Sequence, residues 1–287
     1  MIYKNSKDWK NSKQKRVLLL AMSGLGKTYV SSMLRAKGDW FHYSIDYRIG
    51  TRYMGEHIVD NFKQIAMETP FLADLLRSDS LYIASNITPE NLSPLSTYLG
   101  KPGDTTKGGI PFEEYRKRQT QHHSAEKSAL MDTPHFIERA KQLYGYSNFV
   151  CDSGGSICEV VDPWNPKDPI LNTLSKNLLL VWIKGSEEHT SELISRFDQA
   201  PKPMCYQADF LLDAWQGYQD QTGLGPNKID PNDFIRWTYA RAMAHREPRY
   251  AQMANWGITV NNGELKDVSS PEGFEHVIYQ AIDNNLK

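Results

Sequence analysis

The sequence predicts an α/β fold with three layers, in which a five-stranded, mostly parallel sheet is flanked by helices. Short apolar runs recur along the chain without the polar and apolar alternation of a strand that has one face in water. Segments of helical length and spacing separate these runs, as expected of βα units. The predicted strands are residues 16–21, 40–45, 148–151, 178–183 and 257–260.

Helices are predicted where apolar residues recur three or four positions apart between the strands. Proline and glycine cluster at residues 86–111, 162–169 and 217–231, and these clusters predict loops or the boundaries of insertions. The predicted helices are residues 27–36, 52–66, 112–130, 134–144, 187–197 and 233–254.

The whole chain, residues 1–287, is expected to be one domain with two insertions. Residues 69–133 lie between the second and third predicted strands and exceed what a single crossover helix needs. A second excursion, residues 207–231, lies between the fourth strand and the last long predicted helix. Excursions of this kind commonly carry substrate contacts.

Composition argues against several classes of partner. The chain has 33 Lys and Arg residues against 34 Asp and Glu, a formal net charge of −1, so no positive excess indicates nucleic acid or an anionic membrane. The longest apolar run, residues 17–22, is too short to cross a bilayer, and residues 1–14 lack the apolar core of a signal peptide. The cysteines, three in number, are expected to be reduced thiols in a cytoplasmic protein. No pattern indicates an oligomeric state.

One segment carries a phosphate-binding motif. Residues 21–28 read Ala-Met-Ser-Gly-Leu-Gly-Lys-Thr, follow a predicted strand and open a predicted helix, which is the context of a P-loop. Gly24 and Gly26 let backbone N–H groups face phosphate oxygens, Lys27 reaches the outer phosphates, and Thr28 can ligate Mg²⁺. The residues predicted to contact nucleotide are Ser23, Gly24, Leu25, Gly26, Lys27, Thr28 and Tyr29.

The predicted cofactors are ATP and Mg²⁺. A P-loop contacts phosphate and does not itself read the base, so the motif alone leaves ATP and GTP open. The sequence has no separate signature for reading guanine, which favours ATP.

Two acids follow predicted strands. Ligands bind at the carboxyl ends of strands in open α/β sheets, so Asp46 and Asp152 are candidate site residues. We expect Asp152 to hold Mg²⁺ and Asp46 to contact the acceptor or act as a base. The alternatives are an Asx-turn for Asp152 and a helix N-cap for Asp46. Arg48 and Arg52 either complement an anionic substrate or lie on a solvated helix face.

Residues 16–46 resemble the opening of shikimate kinase and its small-molecule kinase relatives: strand, P-loop, helix, then a second strand ending in an acid. Other segments resemble the family in the same order along the chain. They are Tyr115-Arg116-Lys117-Arg118 with Glu126, residues 149–156, residues 179–197, Lys202-Pro203-Met204, and residues 246–250 with Ala254 and 258–260.

The resemblance implies a P-loop NTPase fold whose P-loop strand is central, and a mobile lid that closes over the phosphates. It places Asp46 beside the acceptor hydroxyl, Arg116 on an acceptor anion, and Gly154 and Gly155 beneath the acceptor. It places Lys202 or Arg196 on the transferring phosphoryl group. This sequence has Ser44, Ser153 and Lys202 where the family has an acid, a glycine and an arginine.

The function expected from motif and resemblance is that of a kinase, which moves the γ-phosphoryl group of Mg-ATP to a hydroxyl of a small polar metabolite. One alternative is a nucleic-acid end kinase with a basic groove formed by Lys101, Lys107, Arg116, Lys117, Arg118 and Lys127. Another is a regulatory NTP-binding protein that hydrolyses ATP slowly without a small acceptor. Zinc is not expected at His122 and His123, because adjacent helical residues do not share a face.

Overall fold

A computed structural model describes residues 1–285 of the chain, and it contains one five-stranded sheet whose strands are all parallel. The strand order is β2-β3-β1-β4-β5, so β1 lies at the centre with β3 and β4 as neighbours. The strands are β1 (Arg16–Leu20), β2 (Trp40–Ser44), β3 (Asn148–Asp152), β4 (Leu179–Lys184) and β5 (Ile258–Asn261).

Helices make up most of the rest of the described chain. Short 3-10 turns lie at Thr105–Lys107, Pro226–Lys228 and Ala254–Trp256, and one π-helical turn lies at Ile49–Tyr53. The α-helices are α1 (Ser6–Asn11), α2 (Lys27–Lys37), α3 (Ile45–Arg48), α4 (Gly55–Met67), α5 (Pro70–Arg77), α6 (Ser93–Leu99), α7 (Phe112–Met131), α8 (Thr133–Tyr144), α9 (Ile157–Val160), α10 (Pro169–Asn177), α11 (Glu187–Gln199), α12 (Ala208–Thr222), α13 (Pro231–Met253), α14 (Asn262–Lys266) and α15 (Pro271–Asn285).

The predicted α/β class and its five parallel strands are confirmed, with every strand boundary within one residue of the prediction. The predicted helices are also present, although residues 49–53 form a π-helical turn ahead of α4. Two of the segments predicted to be loops or insertion boundaries contain helix in part. Helix α6 lies within residues 86–111, and α12 extends to Thr222, where Gly223 ends it in the left-handed conformation.

The described residues form two compact units, each assembled from separate parts of the chain. The first contains Met1–Ile45, Lys127–Ala200 and the described residues from Arg236 onward, and therefore holds the sheet. The second contains Asp46–Glu126 and Pro201–Ile235 and is helical.

The first unit is organised around strands that are buried on both faces. Val17 to Leu20 of β1 are fully buried, as is typical of a central parallel strand covered by helices. Helices α2 and α15 contact each other and pack on the sheet, as do α8 and α10. This arrangement is compatible with three layers.

The second unit has an aromatic core. The rings of Phe112 and Trp215 are stacked with centroids 4.3 Å apart, and Phe234 meets Trp215 edge-on at 4.9 Å. The guanidinium of Arg118 lies 4.6 Å from the centre of the Tyr98 ring and donates to Oδ1 of Asn61. These contacts join α4, α6, α7 and α12 within the unit.

Among the described helices, none combines the length and the apolar character needed to cross a bilayer.

Candidate functional site

The chain turns sharply between β1 and α2, and two glycines allow it. Gly24 and Gly26 have φ angles of +90° and +87°, a region that residues with a Cβ rarely adopt. A Cβ on Gly26 would meet no atom within 4 Å, so its backbone conformation, not lack of space, requires glycine there. The Gly-Leu-Gly sequence therefore has the conformation that the motif predicts for a phosphate-binding turn.

Helix α2 begins without a side-chain cap. Gly26 is the N-cap residue and offers no side chain to the N–H groups of the first turn. The first N–H groups of a helix lack intrahelical partners, and the helix dipole places partial positive charge there. An uncapped helix start after a glycine turn is suited to binding a phosphate.

The side chain of Lys27 folds back over the turn. Its Nζ donates to the carbonyl oxygens of Ala21 at 2.8 Å and Met22 at 3.3 Å, and the residue is buried. Because carbonyl oxygens are weaker partners for an ammonium group than phosphate oxygens, this arrangement holds a cation ready beside the turn.

Thr28 and Asp152, the two predicted metal ligands, are brought together. The Thr28 hydroxyl donates to Oδ2 of Asp152 at 2.8 Å. The contact follows from the sheet order, because β3 lies beside β1 and Asp152, its last residue, pairs in register with Leu19. A hydroxyl and a buried carboxylate form an oxygen donor pair of the kind that Mg²⁺ prefers.

His42 was not predicted as a site residue, yet it lies close to this pair. Its Nε2 is 3.7 Å from Oδ2 of Asp152, and its side chain is 1% exposed. In the part of the chain that the structure describes, Nε2 of His42 has no hydrogen-bond partner. The sequence signal was weak, because a histidine inside an apolar strand is ordinarily a packing residue and only strand pairing brings it to Asp152.

The glycine turn after β3 packs directly on the turn between β1 and α2. A Cβ on Gly155 would lie 3.2 Å from the backbone nitrogen of Ser23, so the two backbones approach closely. The hydroxyl of Tyr250 lies 3.1 Å from the carbonyl oxygen of Ala21 and 3.0 Å from that of Gly155, and it bridges the two turns. The Gly154-Gly155 pair therefore supports the turn between β1 and α2. Its place beneath an acceptor stays a prediction.

A buried ion pair lies behind the glycine turn. The guanidinium of Arg246 on α13 bonds the carboxylate of Glu159 on α9 and the carbonyl oxygen of Gly155. Burial has the largest single effect and lowers the pKa of Arg246, but Glu159, Cys158 and Tyr250 together leave that pKa raised. Arg249 donates to the carbonyl oxygens of Cys158 and Val161. Residues 246–250, singled out from the sequence, thus hold the segment after β3 in place.

Helix α11 lies beside the turn between β1 and α2. A Cβ on Gly24 would come within 2.6 Å of Cδ2 of Leu193, which shows how closely this helix approaches. Arg196, one predicted phosphoryl contact, is exposed and pairs with Glu192 at 3.3 Å. The exposed side of the motif includes Ser23, Thr28 and Tyr29.

The other predicted site residues belong to the second unit. Asp46 lies in α3 and is half-buried, and the guanidinium of Arg48 lies 5.5 Å from the centre of the Tyr53 ring. Arg116 forms an ion pair with Glu113 at 3.1 Å and lines a cavity of about 260 Å³. Lys202 lines a different cavity, so the structure does not bring Arg116 and Lys202 into one pocket.

The cavity lined by Lys202 has a volume of about 610 Å³ and is larger than the cavity lined by Arg116 in the same unit. Three lysines line it together with serine, threonine and asparagine side chains. Lys101 donates to Asn232 at 2.6 Å, and Lys107 pairs with Asp230 at 3.4 Å. Its volume suits a small metabolite, and its lining favours a polar or anionic one.

Comparison of the chain with protein-family models, with curated proteins and with solved structures gives no match. The arrangement of residues around Lys27, Thr28 and Asp152 therefore carries the functional argument.

Proposed function

We propose that this chain is an ATP-dependent phosphotransferase, which binds Mg-ATP at the turn between β1 and α2 and transfers the γ-phosphoryl group to a hydroxyl of a small polar metabolite. The observation that carries the proposal is the 2.8 Å hydrogen bond between Thr28 and Asp152. A glycine turn alone binds many anions, whereas a hydroxyl joined to an acid on the neighbouring strand is the arrangement that positions Mg²⁺ in P-loop proteins.

Each element of the turn has a task in binding. The N–H groups at the start of α2 donate hydrogen bonds to the phosphate oxygens. Lys27 moves from the Ala21 and Met22 carbonyl oxygens to the outer phosphates. Thr28 and Asp152 would hold Mg²⁺, which supplies neutralisation of the phosphate charge. Tyr250 and Arg246 keep the supporting backbone fixed.

In the transfer, the acceptor oxygen forms a bond to the γ-phosphorus while the bond from that phosphorus to the bridging oxygen breaks. ADP leaves with the electron pair, and the acceptor proton passes to a base. We propose Asp46 as that base because it follows β2, at the carboxyl end of a parallel strand.

Binding is tested first, by calorimetry with ATP and GTP in the presence and absence of Mg²⁺. Lys27→Ala should weaken ATP binding at least about tenfold, a change of about 1.4 kcal/mol. Lys37→Ala is the matched control, since Lys37 ends the same helix and bonds the Ser269 carbonyl oxygen. Absence of nucleotide binding by the wild type would refute the proposal entirely.

Transfer is tested next, by ADP release across a panel of hydroxy acids, sugars, nucleosides and nucleic-acid ends. Stimulation by one small hydroxyl compound, lost in Asp46→Ala, supports the kinase. Stimulation by nucleic-acid ends alone identifies an end kinase instead. Slow hydrolysis that no acceptor stimulates identifies a regulatory NTPase.

A further inference from the structure

One face of helix α7 is buried along most of its length. Tyr115, Gln119, His122 and Glu126 recur at helical spacing, so their side chains lie on one face, and all four are buried. This face belongs to the second unit.

The segment before α12 runs along that face and is fixed there by hydrogen bonds. The hydroxyl of Tyr115 donates to the carbonyl oxygen of Met204 at 2.8 Å, and Nε2 of Gln119 donates to the same oxygen at 3.0 Å. The backbone N–H of Tyr206 donates to Oε1 of Gln119 at 2.9 Å. Cys205, between Met204 and Tyr206, is therefore held against α7.

His122, Glu126 and Cys205 converge at this point. One ligand atom of each lies within 4.8 Å of the corresponding atoms of the other two. The three residues are 4%, 0% and 5% exposed. A nitrogen, a carboxylate oxygen and a sulfur thus lie close together in a buried position.

Nδ1 of the His122 imidazole has no hydrogen-bond partner among the described residues. This Nδ1 lies 3.7 Å from Oε2 of Glu126, which is longer than a hydrogen bond, and it bonds no other atom of the described residues. A buried polar atom without a partner is rare, because its lost hydration is not replaced. The carboxylate and the thiol beside Nδ1 of His122 indicate what kind of bound group replaces the lost hydration.

We propose that His122, Glu126 and Cys205 bind a zinc ion. Imidazole nitrogen, carboxylate oxygen and thiolate sulfur are the three donor types that zinc takes in proteins, and three protein ligands leave one tetrahedral position for water. Mg²⁺ and Ca²⁺ prefer an all-oxygen set, so the sulfur and nitrogen donors disfavour them.

The charges of the ligands agree with this assignment. Two positive charges on the metal balance one negative charge each from Glu126 and a Cys205 thiolate. The buried cluster then has no net charge, which removes the main cost of placing an ionised carboxylate there.

The metal would join α7 to the segment that carries Cys205. Zinc sites of this kind contribute directly to folding stability, since the ligands converge only in the folded chain. His122 and the adjacent His123 do not share a face of the helix. The relevant partner is Glu126, one turn along the same face, with Cys205 supplied by tertiary structure.

The test measures metal in protein purified without chelator, incubated with zinc and desalted. Elemental analysis should find about one zinc ion per wild-type chain. His122→Gln and Cys205→Ser should lose at least about nine-tenths of it, since each removes a ligand. The matched controls His123→Gln and Cys158→Ser change a neighbouring imidazole and another buried thiol and should keep it.

The absorption spectrum of the cobalt-loaded wild-type protein provides a second test that needs no variant. Co²⁺ bound in place of zinc should produce a thiolate-to-cobalt charge-transfer band, and zinc should abolish that band. Wild-type protein that is folded by circular dichroism but shows neither zinc nor the band would overturn the proposal. So would zinc content that survives Cys205→Ser. If that variant does not fold, the cobalt spectrum of the wild type decides.

Discussion

Arg246 and Glu159 form a buried ion pair, with Nε of the guanidinium donating to Oε1 of the carboxylate at 2.6 Å and side chains 2% and 0% exposed. The same guanidinium reaches the carbonyl oxygen of Gly155, whose backbone packs on Ser23 of the turn between β1 and α2. The pair thus supports the turn that is proposed to bind phosphate.

Arg246→Met should lower the free energy of unfolding by about 3–5 kcal/mol, because the substitution leaves the carboxylate of Glu159 buried without its main partner. Urea denaturation measures this as a lower midpoint. Arg241→Met is the matched control on the same helix: Arg241 is exposed, its guanidinium stacks on Trp237, and its loss should cost less than about 1 kcal/mol. Equal midpoints for the two variants would contradict a role for the buried pair.

Gly26→Ala should affect both stability and nucleotide binding. Its φ angle of +87° disfavours a Cβ, which costs roughly 1–2 kcal/mol of folding free energy. Gly145→Ala carries similar strain at the end of α8, where φ is +73° and the space is also open. Thermal unfolding should therefore show similar losses in both. Calorimetry should show weaker ATP binding only in Gly26→Ala, and an equal loss of affinity in both would mean that the turn around Gly26 is not the nucleotide site.

Asp152→Asn should separate metal use from folding. Oδ1 of asparagine can still accept the Thr28 hydrogen bond, so we expect stability close to wild type. The lost negative charge should lower Mg²⁺-dependent turnover by about 10²-fold or more while nucleotide binding without Mg²⁺ persists. Asp198→Asn, an exposed carboxylate in α11, should leave turnover unchanged. Full activity of Asp152→Asn would remove Asp152 from the metal site.

The thiol of Cys158 should make stability fall in alkali. Burial raises the pKa of this thiol from 9.0 to about 12, so between these values the unfolded chain loses the proton and the folded chain keeps it. Stability falls as pH rises through this window, on the order of 1.4 kcal/mol per pH unit for one proton. Below pH 9 the thiol has no effect on the pH dependence.

Comparison of wild type with Cys158→Ala isolates this contribution, because other groups that titrate in alkali are common to both proteins. At pH 8 the wild type should be more stable by about 1 kcal/mol from sulfur packing. Between pH 9 and pH 10 the difference should close. A difference that stays constant across that range would show that the folded thiol titrates normally.

The strands were predictable because their environment is simple. Residues such as Val17 to Leu20 are buried on both faces, so an uninterrupted apolar run is the physical requirement and its boundaries are visible. The turn around Gly24 and Gly26 was predictable for a similar reason, since only glycine adopts its φ angles readily.

Some helices were missed although they have a signal. In α15 the buried residues Phe274, Ile278, Ala281 and Ile282 follow helical spacing. In α12, Gly217 was read as part of a loop, but packing of Trp215 against Phe112 and Phe234 overrides its weak helix propensity.

Site residues that depend on strand pairing or on packing between distant segments could not be predicted. His42 reaches Asp152 only because β2 lies beside β3, and Tyr250 reaches Ala21 only because α13 packs near β1. Cys205 gave no local signal, and its place beside His122 is a property of tertiary structure. Asp152, in contrast, could be named as a candidate from the sequence because ligands bind at the ends of parallel strands, and its role in holding metal stays a prediction.

The central position of β1 has a consequence for synthesis on the ribosome. This strand emerges early, but its two neighbours, Asn148–Asp152 and Leu179–Lys184, are made much later. Until then β1 is an exposed apolar segment of the nascent chain. Asp152, the acid that bonds Thr28 beside Lys27, has not yet been made. Loop closure over such distances is slow compared with local helix formation. Nascent chains that stop short of β3 therefore expose an apolar strand that has no neighbour in the sheet.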